Sequence, residues 1–267
     1  MLKVAIHNLL IHYYLMNGFE LRNYPDYPQD TYTSKVQTLA NLDGTQSLYK
    51  ESRFRLSKDN VAIAEFLRYL EVNPHPNLLS PEAINAELGQ PLIEIYPFID
   101  EPLLSREEAT FRDGIRDGKI DESDLIDMML QLTSALSSIH QLGFVHRDVR
   151  AQNIFVRPDD DRLHLTLFDY NSLCRPYFQA DALDSWILER PPELRTGNVT
   201  VDARFDVYAL GYILFDLTHS SYKDELPIST LDPDHPLFAV MSKAKAPLTD
   251  CYDDATAMNQ ELLALAA

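Results

Sequence analysis

Asp148 and Asn153 lie on one short polar stretch, His146-Arg147-Asp148-Val149-Arg150-Ala151-Gln152-Asn153, an acid and an amide on the same loop. A second acid, Asp169, follows the apolar, β-branched run Leu163–Phe168. Lys50 stands in the middle of a strand-like run, Ser47-Leu48-Tyr49-Lys50-Glu51, and Glu65 falls inside the next helical pattern. These residue types suit phosphoryl transfer, which needs cations on the phosphates, an oriented nucleophile and exclusion of water. Asp148 can aim an attacking hydroxyl and accept its proton. Asn153 and Asp169 are hard oxygen ligands of the kind Mg²⁺ prefers. Lys50 can reach the α- and β-phosphates of a nucleotide, with Glu65 holding it by an ion pair. Arg150 can neutralise the γ-phosphoryl group.

Such side chains need elements to carry them. The Asp-Gly turn in Asn41-Leu42-Asp43-Gly44 predicts a hairpin of strands Ser34–Ala40 and Thr45–Arg55. Helical periodicity runs over Val61–Val72, with Asp59 or Asn60 as the cap. Two strands are expected near Ala83–Glu87 and Leu92–Tyr96. A long amphipathic helix runs from a Ser123 cap to Leu142 and stops at Gly143. Strands Ile154–Arg157 and Leu163–Phe168 flank the Asp-rich turn at 158–161, which lacks the acid spacing and central Gly of a calcium loop. Further helices are expected over Phe205–Leu214, Pro236–Lys243 and Asp254–Ala266. Residues 1–17 carry an amphipathic pattern on Leu2, Ile6, Leu9, Tyr13 and Met16.

Composition narrows the field. The chain has 267 residues, 45% of them hydrophobic, enough for a sizeable core in one large or two-lobed domain. A net charge of −18 repels phosphate backbones, which argues against nucleic acid as a partner. No stretch reaches roughly 18 uninterrupted apolar residues, so no membrane span is expected. Two distant cysteines, Cys174 and Cys251, outside any CxxC pattern, read as reduced packing thiols in a cytoplasmic protein.

From about Ser34 to Leu217 the pattern resembles the eukaryotic-type protein kinases. The resemblance rests on Leu48-Tyr49-Lys50, on Glu65, and on His75-Pro76-Asn77-Leu78 at the helix exit. It continues through the loop from His146 to Asn153, Phe168-Asp169-Tyr170-Asn171, Pro191-Pro192-Glu193, and Asp206-Val207-Tyr208-Ala209-Leu210-Gly211. It implies an α+β, bilobal protein kinase-like fold, with a small β-rich N-lobe carrying one key helix and a mainly helical C-lobe. The corresponding division is an N-terminal helix at 1–18, an N-lobe at 19–98 and a C-lobe at 99–267. Tyr96-Pro97-Phe98-Ile99-Asp100 resembles a kinase hinge, in which Tyr96 is the gatekeeper and Ile99 offers its N–H to adenine. By the same resemblance, Glu193 braces the activation segment and Asp206 hydrogen-bonds the catalytic-loop backbone. Arg147 beside Asp148 marks kinases in which a phosphorylated residue docks on that Arg, with Ser172, Tyr177 and Ser185 as candidates here.

Three departures stand out. No Gly-x-Gly-x-x-Gly precedes Lys50; the corresponding stretch is Gln29-Asp30-Thr31-Tyr32-Thr33-Ser34-Lys35-Val36. Asp169 is followed by Tyr170-Asn171 rather than Phe-Gly, so Asn171 is expected to take the left-handed backbone. No Arg in residues 240–267 is available to pair with Glu193. The resemblance therefore implies an ATP- and Mg²⁺-dependent kinase acting on Ser or Thr of a protein. A pseudokinase serving as a binding module is the first alternative, favoured by the missing glycines. A small-molecule kinase is the second, opposed by the Pro192-Glu193 and Asp206 motifs.

Overall fold

Alternating burial along two neighbouring strands builds the first part of the molecule. A computed structural model of the chain describes residues 34–41, 44–57, 60–105, 111, 113–115, 117–159, 162–176, 191, 193, 200–218 and 236–267. The amphipathic pattern at 1–17, the residues 29–33 of the glycine-free stretch, Asp59, Tyr177 and Ser185 lie outside them. Of the described residues, those up to His75 together with Leu79–Asp100 form one compact unit. Pro76–Leu78 with Glu101–Ala267 form the other.

The first unit is an antiparallel sheet with one helix. Strands β1 (Ser34–Ala40), β2 (Gln46–Arg55), β3 (Ala83–Asn85) and β4 (Pro91–Pro97) are ordered β1-β2-β4-β3. The β1–β2 turn closes through Asn41 N–H to Thr45 O at 2.8 Å and Gly44 N–H to Asn41 O at 3.0 Å. Strand β4 is central, and its prolines stand only at its two ends, where a missing N–H is tolerated. The β2–β4 register shifts between Glu51 and Arg55. There Ser52 Oγ repairs the ladder, accepting the Leu92 N–H at 2.9 Å and donating to Phe54 O at 2.9 Å. Helix α1 (Val61–Val72) buries Ile63, Phe66, Leu67 and Leu70. Asn60 precedes it, but its side chain does not cap the helix. Instead Asn60 Oδ1 accepts the Ser57 N–H at 2.6 Å, so the expected cap is replaced by a turn lock.

The second unit is mainly helical. Helix α2 (Glu122–Gln141) buries Leu125, Met129, Leu132, Leu136 and Ile139 at helical spacing. Its cap is Asp121 rather than the expected Ser123. The Asp121 carboxylate accepts the Asp124 N–H while Asp124 accepts the Asp121 N–H, a capping box in which an acid replaces Glu. Ser123 Oγ donates to Asp121 at 2.6 Å. Gly143, with φ of +72°, lets the chain leave α2 and enter the polar loop. Strands β5 (Ile154–Asp159) and β6 (Arg162–Leu167) form the hairpin after that loop. Helices α3 (Arg204–Thr218), α4 (Pro236–Ala244) and α5 (Ala255–Leu265) follow among the described residues. Leu210, Leu214, Leu237, Ala244, Met258 and Leu262 are fully buried among them. No helix among the described residues is long and apolar enough to cross a membrane.

Candidate active site

In the second unit the polar loop is built around one buried acid. Asp206, in the first turn of α3, is 1% exposed. Its carboxylate accepts the His146 N–H and the Arg147 N–H, both at 2.8 Å, and meets His140 Nε2 at 3.0 Å. His140 Nδ1 in turn accepts the Ala255 N–H at 3.3 Å, at the start of α5. Burial alone would raise the Asp206 carboxyl pKa. Hydrogen bonding and charge from His140, with the hydrogen bond from the His146 backbone, hold it below the ordinary carboxylate range. These bonds support an unusual backbone, because Arg147 is left-handed at φ +69°. That conformation costs a non-glycine residue about 1–2 kcal/mol.

The next residues converge. Asn153 Nδ2 donates to Asp148 Oδ2 at 2.8 Å and to Asp148 O at 2.9 Å, which fixes the rotation of the Asp148 carboxylate. The Asp148 N–H donates to His146 Nδ1 at 3.3 Å. Complete burial pushes the His146 imidazole pKa down, against the pull of Asp206, Asp148 and Asp169. A neutral ring is therefore the form that accepts that N–H. The Phe168 N–H donates to Asn153 O at 3.0 Å, and Phe168 stacks on Phe155 at 4.3 Å. This ties the end of β6, and Asp169 with it, to the same loop. Val145 and Cys174 exchange two backbone hydrogen bonds, which secures the segment beyond Asp169 to the loop entrance. Arg150 directs Nε to Gln152 Oε1 at 3.0 Å, beside this group.

The left-handed residue at the second acid is Asp169 itself, at φ +64°, not Asn171. Tyr170–Ser172 form a short 3-10 turn, with Tyr170 fully buried and its hydroxyl donating to Leu167 O at 3.2 Å. The Tyr ring thus anchors the turn, and the conformational demand falls on the acid. Arg147 NH1 donates to Ser172 O at 3.4 Å.

Asn153 and Asp169 fit a hard divalent cation. Engaging the Asn153 amide nitrogen with Asp148 turns its carbonyl oxygen to the other side, and Asp169 adds a half-buried carboxylate. Glu193 accepts the Leu248 N–H at 2.9 Å. Arg204 NH1 donates to the carbonyl of that same Leu248 at 2.8 Å while its fork pairs with Asp202. The backbone of one residue therefore meets both side chains, at its N–H and at its carbonyl.

In the first unit, Lys50 lies on β2 directly opposite Glu94 on β4. Its Nζ is 3.5 Å from Glu94 Oε1. Tyr96 is buried and donates its hydroxyl to Glu94 Oε2. Glu65 lies on the exposed side of α1, and Ile99 is half-buried just past the end of β4. Glu94 was not among the residues read from the sequence. Its signal there is a single acid inside the apolar strand Leu92-Ile93-Glu94-Ile95-Tyr96. His140 was missed as well, and its signal is a His in the last turn of a helix that ends at Gly143.

Comparison with known proteins supplies the family. A 32% identical stretch of 99 residues links the chain to the sporulation protein kinase mde3 of Schizosaccharomyces pombe, covering 34% of this chain and 18% of that one. The putative cyclin-dependent kinase F-2 of Oryza sativa is 27% identical over 153 residues, 54% of this chain and 44% of its own. Mouse serine/threonine-protein kinase 16 is 26% identical over 155 residues, 53% of this chain and 50% of its own. The chain thus spans half or less of the length of these relatives. The protein kinase domain model matches residues 49–247, from the neighbour of Lys50 to the Glu193-bound segment before Leu248. That match takes in well over half of the chain, which therefore belongs to the protein kinase domain family.

Proposed function

We propose that this kinase domain transfers the γ-phosphoryl group of ATP to a Ser or Thr hydroxyl of a protein substrate. The carrying observation is the Asn153 grip on Asp148, on a loop pinned by Asp206. In this reading the substrate hydroxyl attacks the γ-phosphorus and gives its proton to Asp148, while the β–γ bridging bond breaks and ADP leaves. Lys50 holds the α- and β-phosphates with Glu65 as its helix-borne acid, and Arg150 faces the transferring group. Tyr96 and Ile99 flank the adenine. Asn153 and Asp169 hold Mg²⁺, which when bound supplies positive charge against the phosphates. The preference for Ser/Thr rests on relatives named as serine/threonine kinases. The two free thiols suit a reducing, cytoplasmic setting.

The test is transfer from labelled ATP with Mg²⁺ to generic Ser/Thr peptides. Asp148→Asn should lower the rate by about 10²-fold or more, with nucleotide binding kept. The glycine-free stretch before Lys50 favours a second reading, a pseudokinase module. Nucleotide binding without turnover in the unaltered chain would establish that reading, and turnover on metabolites but not peptides would refute both.

A further inference from the structure

We infer that Glu94 is a second carboxylate positioning the Lys50 ammonium, beside the Glu65 of the proposed function, forming a brace within the sheet that Tyr96 locks. The inference rests on the reading of Lys50 as the phosphate-binding cation. Directly opposed residues of antiparallel strands project to the same face with adjacent Cβ atoms, so the β2–β4 register itself delivers Lys50 to Glu94. The distance is 3.5 Å, and the two side chains are 11% and 1% exposed. Tyr96 lies two residues along β4 from Glu94, on the same face, and its hydroxyl takes the second carboxylate oxygen. Oε1 therefore points in a direction set by two strands and a phenol.

A buried ion pair is an expensive way to stabilise a sheet, since apolar residues of similar size generally do as well or better. It serves a purpose where the cation must stay charged and in place. Burial favours loss of the ammonium proton, and a neighbouring carboxylate opposes that loss. An ammonium has three donors, so one carboxylate can orient it while phosphate oxygens take other directions. Glu65 sits on a helix and is exposed, whereas Glu94 is on a central strand and fully buried. A strand-borne acid keeps its geometry when a neighbouring helix shifts.

The test reads Lys50 without reference to activity. The nucleotide-free chain is pulse-labelled with an amine-reactive ester across a pH series, and Lys50 modification is followed by peptide mass spectrometry. In Glu94→Gln the labelling midpoint should fall by about one pH unit, making Lys50 about tenfold more reactive at a fixed pH below it. Tyr96→Phe should move it less, and exposed Lys35 and Lys119 should not change. A rate raised by the same factor at every pH reports lost shielding only and overturns the inference, as does an unchanged midpoint. If Glu94→Gln does not fold, Lys50→Met with Glu94→Gln should fold, because no lone buried charge remains. A double variant no better folded than the single one overturns the inference too. A shifted midpoint in a chain that transfers no phosphate supports the brace and removes the kinase reading instead.

Discussion

Asp206 holds a strained turn and, through His140, a helix start with one carboxylate. Removing it leaves the His146 and Arg147 amides without their acceptor and His140 beside an apolar gap. Asp206→Ala should therefore cost about 3–5 kcal/mol in chemical denaturation. Asp206→Asn, which keeps one acceptor oxygen, should cost less. An Ala variant within about 1 kcal/mol of the unaltered chain would mean that the loop is held by other contacts. Residues that act on near neighbours were readable from spacing: Asp148 and Asn153 lie on one loop and do bond each other. Among residues that act across elements, Asp206 was read through the family resemblance, whereas Glu94 and His140 were not read. Glu94 meets Lys50 only through strand register, and His140 meets Asp206 only once α2 and α3 are packed. The left-handed position falls on Asp169, two residues before the Asn171 that the sequence offered for it. The buried Tyr170 ring anchors the turn, and Asp169 takes the strain.

At the scale of elements, α3 and α4 meet at Gly211. A Cβ built there would lie 2.7 Å from Ala244 Cβ and 2.9 Å from Lys245 Cγ. Gly211→Ala should cost about 1–3 kcal/mol through overpacking, despite the better helix propensity of Ala. An unchanged unfolding midpoint would show that α4 moves aside freely. Helices and strands were legible where period and burial agree, as in Val61–Val72, whose Ile63, Phe66, Leu67 and Leu70 are buried on the packed side while Tyr69 and Val72 stay exposed. Caps were legible less well. Asp121 and Ser123 compete for the start of α2, and the capping box with Asp124 decides for the acid. At Asn60, the preceding turn offers the side chain a nearer donor in Ser57.

For the whole molecule, His146 and Asp206 set a common pH response. His146 is held below its ordinary value of 6.5, so the folded chain resists a proton that the unfolded chain accepts. Its contribution is complete above that value and declines as pH falls through it. Asp206 is held below its ordinary value of 3.8, so its contribution is present above 3.8 and is lost as pH falls through the folded value. Both slopes have the same sign. The melting temperature should fall on acidification from about pH 7 to about pH 5, and His146→Phe should flatten that decline. A slope that survives the substitution would assign it to other groups.

The short segment Pro76–Leu78 packs with the second unit although both its flanks belong to the first. Asn77 secures it, donating to Gln131 and to Leu165 O at 2.9 Å each and accepting the Leu167 N–H at 2.9 Å. The polypeptide therefore passes from one unit to the other three times rather than once. A single nick between Leu79 and Glu101 would leave the N-terminal fragment still sewn into the hairpin beside the Asp148 loop, so the two halves are not separable pieces of chain.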